Sequence, residues 1–262
     1  MNASVAGTKR VDASDLEQKV KAMYRAVALE PHGDFHFEMG RGLAERLGYP
    51  GSHLDRIPGE AIDSFAGVGY YFDLAALKPG EKVVDLGSGS GMDSFVAALQ
   101  VGDAGRVTGV DMTDEQLAKA ERLRAAAHIR NITYRKGYIE ATGLPDGAFD
   151  AVISNGVINL AADKDAVFRE AARLLKPGGR LALADIVTGL PLPESITCDA
   201  TLWAACIGGA MQLESYLYAI QAAGLTVRQV KDNPQYRFVS NNAQGATRKF
   251  DVKSISLVAV KE

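Results

Sequence analysis

The spacing of hydrophobic positions changes repeatedly along this chain, and each change marks the boundary of a predicted element. Short apolar runs, typical of buried strands, alternate with segments whose apolar residues recur at helical spacing. The apolar runs predict strands at residues 82–86, 106–110, 132–136, 151–154, 180–186, 225–230 and 254–260. The helical spacing predicts helices at residues 15–29, 35–47, 93–101, 113–128, 163–175 and 213–223.

Strands that alternate with helices favour parallel pairing, because a right-handed crossover returns the chain to the same end of the sheet. The sequence therefore predicts an α/β fold: a Rossmann-like, mostly parallel seven-stranded sheet with helices on both faces. The polar segment around Asn241 and Asn242 separates the last two strands and allows one antiparallel edge pair. Ser14 is the expected N-cap of the first helix, and Thr113 with Gln116 matches a capping box at the fourth.

The chain divides into a tail, a cap and a main domain. Residues 1–12 are mostly small and polar and predict a disordered tail. Residues 13–78 predict an N-terminal helical cap on the substrate side, in which the aromatic and glycine-rich stretch 60–77 forms a short helix or turn. Residues 79–262 contain the alternating strands and helices, with an insertion at about residues 188–212. Because the cap and the insertion lie outside the repeating pattern, we expect them to line the substrate pocket.

The overall composition suits a globular protein with its own hydrophobic core. Of the 262 residues, 47% are hydrophobic, and the formal net charge is −3. The sequence has no basic stripe for nucleic acid, no apolar run long enough to span a membrane and no apolar leader in residues 1–8. The two cysteines, Cys198 and Cys206, cannot form a disulfide framework. We therefore expect a cytoplasmic monomer or homodimer that binds neither nucleic acid nor a membrane.

A glycine-rich turn follows the first strand of the main domain and predicts a nucleoside-binding site. Its glycines are Gly87, Gly89 and Gly91, so the spacing is G-x-G-x-G and not the G-x-G-x-x-G of dinucleotide-binding proteins. Asp85 and Asp93 flank the turn, and two carboxylates there would repel a pyrophosphate. They suit a cofactor with a cationic amine and no phosphate, which indicates S-adenosylmethionine.

A third acid supports the same interpretation. Asp111 ends the second strand, where a carboxylate can accept hydrogen bonds from both ribose hydroxyls. Two alternatives stay open from the residues alone. The turn could be a structural βα connection with a helix cap, or the protein could be a nicotinamide dehydrogenase, although the short turn and its acids argue against the latter.

These residues resemble the class I S-adenosylmethionine-dependent methyltransferases, and the resemblance covers about residues 79–209. The matching motifs lie at residues 84–91, 109–113, 136–140, 152–155 and 174–179, in the order typical of the family. The cofactor-binding residues that the resemblance implies are Asp85, Gly87, Ser88, Gly89, Gly91, Asp111, Met112, Tyr138, Ile139, Glu140 and Asn155.

Within that family, the motifs at residues 109–117, 136–140, 153–160 and 202–210 are most similar to arsenite methyltransferases. That subgroup binds arsenic(III) through cysteine thiolates, because a soft trivalent centre prefers sulfur ligands. This chain has Ser94, Gly156 and the segment 67–69 where the subgroup carries cysteines, and only Cys206 matches. Cys198 could supply a second thiol, so an arsenite or other soft-element methyltransferase with a reduced thiol set remains the second hypothesis.

The leading hypothesis is methyl transfer from S-adenosylmethionine to a small-molecule acceptor by in-line displacement. The protein would then act mainly through proximity and orientation, and a base is needed only for an acceptor that keeps its proton. The predicted catalytic candidates are His32, His36, Tyr70 and Asn155. The predicted substrate pocket contains Tyr24, Tyr70, Tyr71, Trp203 and Cys206. No metal site is predicted, and an inactive cofactor-binding module is the alternative from another class.

Overall fold

The computed structural model describes residues 12–197, 208–239 and 241–262. In these residues the central sheet has eight strands. They are β1 (Lys82–Leu86), β2 (Arg106–Asp111), β3 (Ile132–Lys136), β4 (Phe149–Asn155), β5 (Leu175–Thr188), β6 (Met211–Gln212), β7 (Leu225–Asp232) and β8 (Val252–Lys261). The strand order is β3-β2-β1-β4-β5-β8-β7, and the two-residue β6 pairs with β5 outside that path.

The sheet is mostly parallel, as predicted. Strands β3, β2, β1, β4 and β5 pair in parallel along the path, whereas β8 is antiparallel to both β5 and β7. The α/β Rossmann-like fold class is therefore confirmed, with two antiparallel pairings at one side of the sheet where one was predicted. The seven predicted strands are all present, and β6 is the additional one.

Helices lie on both faces of the sheet. They are α1 (Ala13–Leu29), α2 (Arg41–Leu47), α3 (Gly51–Leu54), α4 (Gly59–Asp63), α5 (Phe72–Ala75), α6 (Met92–Val101), α7 (Asp114–Ala126), α8 (Lys164–Leu174), α9 (Glu194–Thr197), α10 (Leu213–Ala222) and α11 (Asn241–Phe250), with a 3-10 turn at Ile158–Leu160. None of the helices in the described ranges is long and apolar enough to cross a membrane.

The hydrophobic core has two parts, one on each face of the sheet. Successive strand residues point to opposite faces, so Val83 of β1 packs in one cluster while Val84 and Leu86 pack in the other. The first cluster includes Phe95 of α6 and residues of the N-terminal cap. The second includes Phe168 of α8 together with side chains of α10. Because β1 is covered on both faces, its carboxyl end is held rigidly at the point where the glycine turn begins.

The N-cap predicted for α1 and the capping box predicted for α7 are both wrong, because nearby side chains form other hydrogen bonds. Asp12, not Ser14, caps α1, and its carboxylate accepts the backbone N–H groups of Ser14 at 2.9 Å and Asp15 at 3.1 Å. Thr113 occupies the N-cap position of α7, but its side chain makes no capping hydrogen bond. The predicted capping box does not form, because Gln116 bonds to residues outside the helix.

The helix predicted at residues 35–47 is wrong over its first half, since α2 begins only at Arg41. Gly40 has φ +84°, outside the helical range, and its N–H donates to the Phe65 carbonyl at 3.0 Å. The rings of Phe35 and Phe37 stack with centroids 5.6 Å apart, in irregular chain before the helix.

Three predicted regions of the chain fall partly outside the described residues. Of the predicted tail at 1–12, the structure describes only Asp12. In the predicted insertion at 188–212, residues 198–207 are not described. The segment between β7 and β8, predicted to be a polar hairpin region, contains helix α11. Residue 240 of this segment lies outside the described ranges.

Candidate functional site

A cavity of about 240 Å³ lies where β1, β2 and β4 end at their carboxyl termini. The glycine turn after β1 forms its floor together with Asp111, Met112 and Thr113 after β2. Side chains of α1, among them Leu16, Val20 and Tyr24, line it as well. The cavity therefore lies at the sheet edge where open α/β folds bind their ligands.

The glycine turn has a backbone that other residues adopt only with strain. Gly87, Gly89 and Gly91 have φ values of +73°, +53° and +96°. A Cβ atom at Gly87 would also lie 2.5 Å from Cγ1 of Val157, so no side chain fits there. The bare turn lets the backbone approach a ligand in the cavity closely.

Asp111 ties the turn to the second strand. One oxygen of its carboxylate accepts the Gly89 N–H at 2.9 Å, and the other accepts the Thr113 N–H at 2.8 Å. A carboxylate oxygen has a second lone pair, so both oxygens can still accept a hydroxyl hydrogen bond from a ligand. Burial raises the pKa of the Asp111 carboxyl group, opposed by the two backbone donors.

Two further carboxylates lie beside the turn. Asp85 is 2% exposed and accepts the Ser94 hydroxyl at 2.6 Å. Burial raises the pKa of Asp85 to about 8, with a further contribution from the nearby charge of Asp93. Asp93 accepts the hydroxyls of Tyr49 at 2.6 Å and Tyr71 at 2.9 Å, and burial raises its pKa as well. A ligand cation placed here would favour the ionised form of both acids.

Asn155, at the end of β4, connects this acidic pair to the N-terminal cap. Its Nδ2 donates to Asp93 at 3.0 Å and to the Gly69 carbonyl at 3.1 Å, and its Oδ1 accepts the Val68 N–H at 2.8 Å. A Cβ at Gly67 would lie 2.6 Å from the same Nδ2, so the segment can pass Asn155 only with glycine at that position. The amide therefore fixes the glycine-rich stretch of the cap against the cavity.

Helix α1 is held over the cavity by polar contacts. The Tyr138 hydroxyl donates to Glu17 at 2.8 Å, and Lys21 donates to the Tyr138 oxygen at 3.1 Å. Gln116 accepts the Ser90 hydroxyl at 2.5 Å and donates to the Tyr24 carbonyl at 2.8 Å. These bonds connect α1 to the glycine turn and to the loop after β3.

The charges in the cavity wall are of one sign. The charged side chains in the wall are Glu17, Asp85, Asp93, Asp111 and Glu140, and no Lys, Arg or His of the described ranges joins them. Such a wall suits a cationic ligand and disfavours a phosphorylated one. S-adenosylmethionine carries a sulfonium and an ammonium group and no phosphate, so the residues present fit it and fit a dinucleotide poorly.

Comparison with known proteins agrees with this fit. The family described as "Methyltransferase domain" matches residues 77–225, more than half of the chain. The chain belongs to the methyltransferase domain family. The family and the cofactor, S-adenosylmethionine, that the sequence predicted are therefore confirmed.

Several proteins similar to this methyltransferase are named arsenite methyltransferase. The one from Halobacterium salinarum is 39% identical over 181 residues, covering 69% of this chain and 46% of that protein. The one from Aquipseudomonas alcaligenes is 45% identical over 171 residues, covering 61% and 48%. The chain thus spans about half the length of these relatives.

A solved structure extends the comparison to three dimensions. It is the crystal structure of an arsenic(III) S-adenosylmethionine methyltransferase from Chlamydomonas reinhardtii, which is 32% identical and superimposes with a TM-score of 0.68. The match covers 80% of this chain and 72% of that chain.

The cavity collects most of the residues predicted to bind the cofactor. Those that line it are Asp85, Gly87, Ser88, Gly89, Asp111, Met112, Tyr138, Ile139, Glu140 and Asn155. Gly91 shapes the turn without lining the cavity, and its N–H donates to the Ser88 carbonyl at 2.9 Å. Direct contact of these residues with the cofactor stays a prediction.

The predicted catalytic and substrate residues are only partly brought together. Tyr24 lines the cavity, whereas His32, His36 and Tyr70 do not. His32 is exposed, and the ring of His36 packs edge-on against Phe37. Tyr71 is fully buried behind the cavity, where it bonds Asp93. Trp203 and Cys206, like Cys198, lie outside the described residues.

Sequence reasoning missed three members of the site. Tyr49 and Gln116 were not predicted, because no local pattern marks a hydroxyl or an amide that bonds a carboxylate or serine far along the chain. Glu17 lies in the first helix, whose Tyr24 was predicted to line the pocket, but no pattern in the sequence singled out Glu17 itself. For Asp93 the sequence did carry a signal, because a carboxylate directly after the glycine turn suits a cationic ligand.

Proposed function

We propose that the protein catalyses methyl transfer from S-adenosylmethionine to a small-molecule acceptor. The observation that carries the proposal is the acidic wall of the cavity at the ends of β1, β2 and β4, to which no cationic side chain of the described residues contributes. The cofactor, when bound, supplies a methyl group on a sulfonium leaving group. Everything else in the reaction falls to binding, orientation and the exclusion of water by this chain.

Each acid would have its own task in holding the cofactor. Asp111, fixed by the N–H groups of Gly89 and Thr113, would accept the ribose hydroxyls through its remaining lone pairs. Asp85 and Asp93 would balance the charge of the ammonium group. The loop at residues 137–140, all four of which line the cavity, would receive the adenine.

The cap would keep water from the transferring methyl group. Leu16 and Val20 of α1 and Phe65 place apolar surface in the cavity wall. The network of Asn155, Asp93 and Tyr49 holds that wall in place. Because His32 and His36 do not line the cavity, we propose that the reaction proceeds by proximity and orientation, with Asn155 as an orienting residue.

Arsenite is a second candidate acceptor, favoured by the names of the similar proteins. The 262-residue sequence has two cysteines, whereas a three-thiolate arsenic site needs three. Ser94, at one of the positions where the subgroup carries cysteine, donates its hydroxyl to Asp85 at 2.6 Å. We therefore rank a non-metalloid acceptor first.

Calorimetry with S-adenosylhomocysteine and with NAD tests the cofactor assignment. We expect saturable binding of the nucleoside and no binding of NAD. Asp111→Ala should weaken nucleoside binding at least about tenfold, because it removes charge-assisted hydrogen bonds. Asp114→Ala is the matched control, since Asp114 is exposed three residues further on and pairs only with Lys136 at the surface. Tight NAD binding without nucleoside binding would refute the proposal.

Transfer itself is tested with methyl-labelled cofactor and a panel of small acceptors bearing oxygen, nitrogen, sulfur or carbon nucleophiles. Label in an acceptor product, lost in Asp111→Ala, supports the proposal. Firm cofactor binding with no transfer to any member of the panel would favour the inactive binding module.

A further inference from the structure

A second cavity, of about 570 Å³, lies at the opposite end of the sheet. Arg106 begins β2, and Asn131 directly precedes β3, so this cavity is beside the amino ends of the strands whose carboxyl ends form the cofactor site. The two cavities share no lining residue. Nothing in the proposed methyl transfer uses this place.

Positive charge from separate parts of the chain gathers around the second cavity. Its wall contains Arg56, Arg106, Arg130 and His128, and Asp103 is the carboxylate residue among its lining residues. The three arginines form no ion pair with any described residue, although nine other described arginines have a carboxylate within 4.0 Å. In a chain of net charge −3, carboxylates are plentiful, so three unpaired guanidinium groups at one cavity leave a local positive potential.

The side chain of one of these arginines, Arg106, is held in place by hydrogen bonds to the backbone. Nη1 of Arg106 donates to the carbonyls of Asp103 at 2.8 Å and Gly105 at 2.7 Å. These bonds restrain the guanidinium group, and its Nε and Nη2 donate to no acceptor in the described part of the chain. A restrained guanidinium edge with free donors matches the geometry of a phosphate group.

The floor of the cavity is ordered and largely apolar. Nδ2 of Asn131 donates to the carbonyls of Ala98 at 3.1 Å and Gly102 at 3.0 Å, which fixes the end of α6 against β3. Leu99 and Ile129, both partly exposed, contribute apolar surface to the wall. The cavity therefore offers donors for an anionic head and a hydrophobic surface for the part attached to it.

We propose that this second cavity is a binding site for a phosphate-bearing small molecule. The phosphate lies among Arg56, Arg106 and Arg130, and the remainder of the molecule lies against Leu99 and Ile129. The site is separate from the cofactor cavity, where phosphate is disfavoured, so the two ligands do not compete directly.

The test uses the full chain, inorganic pyrophosphate as the probe and calorimetry in a buffer of low ionic strength. We expect saturable binding to the wild type and a loss of roughly tenfold in affinity for Arg56→Gln, Arg106→Gln and Arg130→Gln. Arg135→Gln is the matched control, because Arg135 is exposed, has no ion pair in the described ranges and lies outside the cavity. Asp103→Asn should change the affinity in the opposite direction, since it removes the carboxylate from the wall.

Three results would overturn the proposal. They are an absence of saturable pyrophosphate binding, an equal loss in Arg135→Gln, and displacement of pyrophosphate by a more tightly bound single-stranded oligonucleotide. S-adenosylhomocysteine binding, measured on every variant, shows that each one is folded. That measurement also separates this proposal from the proposed function, because either cavity can bind its ligand when the other does not.

Discussion

Val68 and Gly156 pack together next to residues that line the cofactor cavity, and their identities bear directly on the choice of acceptor. Val68 is 1% exposed, and a Cβ at Gly156 would lie 3.1 Å from its Cγ1. Arsenite methyltransferases, which the sequence resembles, carry cysteines at residue 156 and in the segment 67–69. In this chain that space holds a valine methyl group, which offers no ligand to a soft metalloid.

Restoring two thiols should therefore create arsenic(III) binding. We expect weak binding of trivalent arsenic to the wild type and at least about tenfold tighter binding to Val68→Cys/Gly156→Cys, because neighbouring thiols act at high effective concentration. Gly156 has φ +69°, so a cysteine there costs about 1–2 kcal/mol of stability. The measurement is a titration monitored by thiolate absorption.

Val68→Ala/Gly156→Ala is the matched control, since it makes a similar change of volume and strain without sulfur. Wild-type binding as tight as that of the double cysteine variant would contradict the argument and raise arsenite to the first candidate.

At the residue level, the sequence was most informative where the chemistry is local. Gly87, Gly89 and Asp111 were recognisable because a left-handed turn and a strand-end acid are set by neighbours in the chain. Tyr49 was not, because its bond to Asp93 joins residues 44 positions apart. Long-range polar partners of this kind depend on the packed fold and leave no periodic signal.

At the level of elements, α1 is the part of the site best placed to open. It lines the cavity from outside the sheet, and its fully buried side chains are few: Leu16, Val20, Val27 and Ala28. Polar contacts to α7 complete its attachment, including Arg25 with Glu115 at 2.9 Å and Lys119 with the Ala28 carbonyl at 3.1 Å. An element with little buried surface has a low free energy of local opening.

Tyr138→Phe should loosen this cover. The change removes the hydroxyl that bonds Glu17 and Lys21, so we expect S-adenosylhomocysteine to dissociate roughly 2–10-fold faster and amide exchange in α1 to increase. Stopped-flow displacement and hydrogen–deuterium exchange measure the two effects. Tyr218→Phe on α10 is the matched control, because Tyr218 is 71% exposed and outside the cavity. Unchanged exchange in α1 would show that the hydroxyl does not hold the helix.

The strands were predicted better than the helices, for a physical reason. The predicted bounds of β1 and β3 agree with the structure. For β1 the reason is burial, since a parallel strand covered on both faces has to be almost entirely apolar. Helix α11 was missed because Asn241, Asn242 and Gly245 are poor helix formers. Its Phe250 packs against the core, so tertiary packing overrides the weak propensity.

At the level of the whole molecule, the carboxylates of the cofactor site reduce the stability of the fold. Asp85 and Asp111 lie at the carboxyl ends of β1 and β2, and Asp93 lies in the first turn of α6. Burial raises the pKa of each of the three. Ionising these buried carboxylates costs free energy, and a bound cation would offset that cost. Stability and cofactor binding should therefore depend on pH together, and Asp85 is the residue through which this dependence can be measured.

The expected sign follows from the two pKa values of Asp85, about 8 in the fold against 3.8 for the ordinary side chain. Between about pH 4 and pH 8 the folded protein keeps a proton that the unfolded chain has lost, so the free energy of unfolding falls as pH rises. One such proton contributes a slope of about 1.4 kcal/mol per pH unit. Urea unfolding across this range should show a smaller slope in Asp85→Asn, whereas Asp114→Asn at the exposed surface should behave as the wild type.

Ligand binding provides the complementary measurement. The ammonium group of S-adenosylhomocysteine favours ionised Asp85, so wild-type affinity should rise between pH 5 and pH 8 as less proton release is required. Calorimetry in buffers of different ionisation enthalpy should detect a proton released on binding near neutral pH, and Asp85→Asn should release less. An identical unfolding slope and identical proton release in wild type and Asp85→Asn would mean that Asp85 is already ionised in the free protein, and that its burial is compensated by Ser94 and the turn.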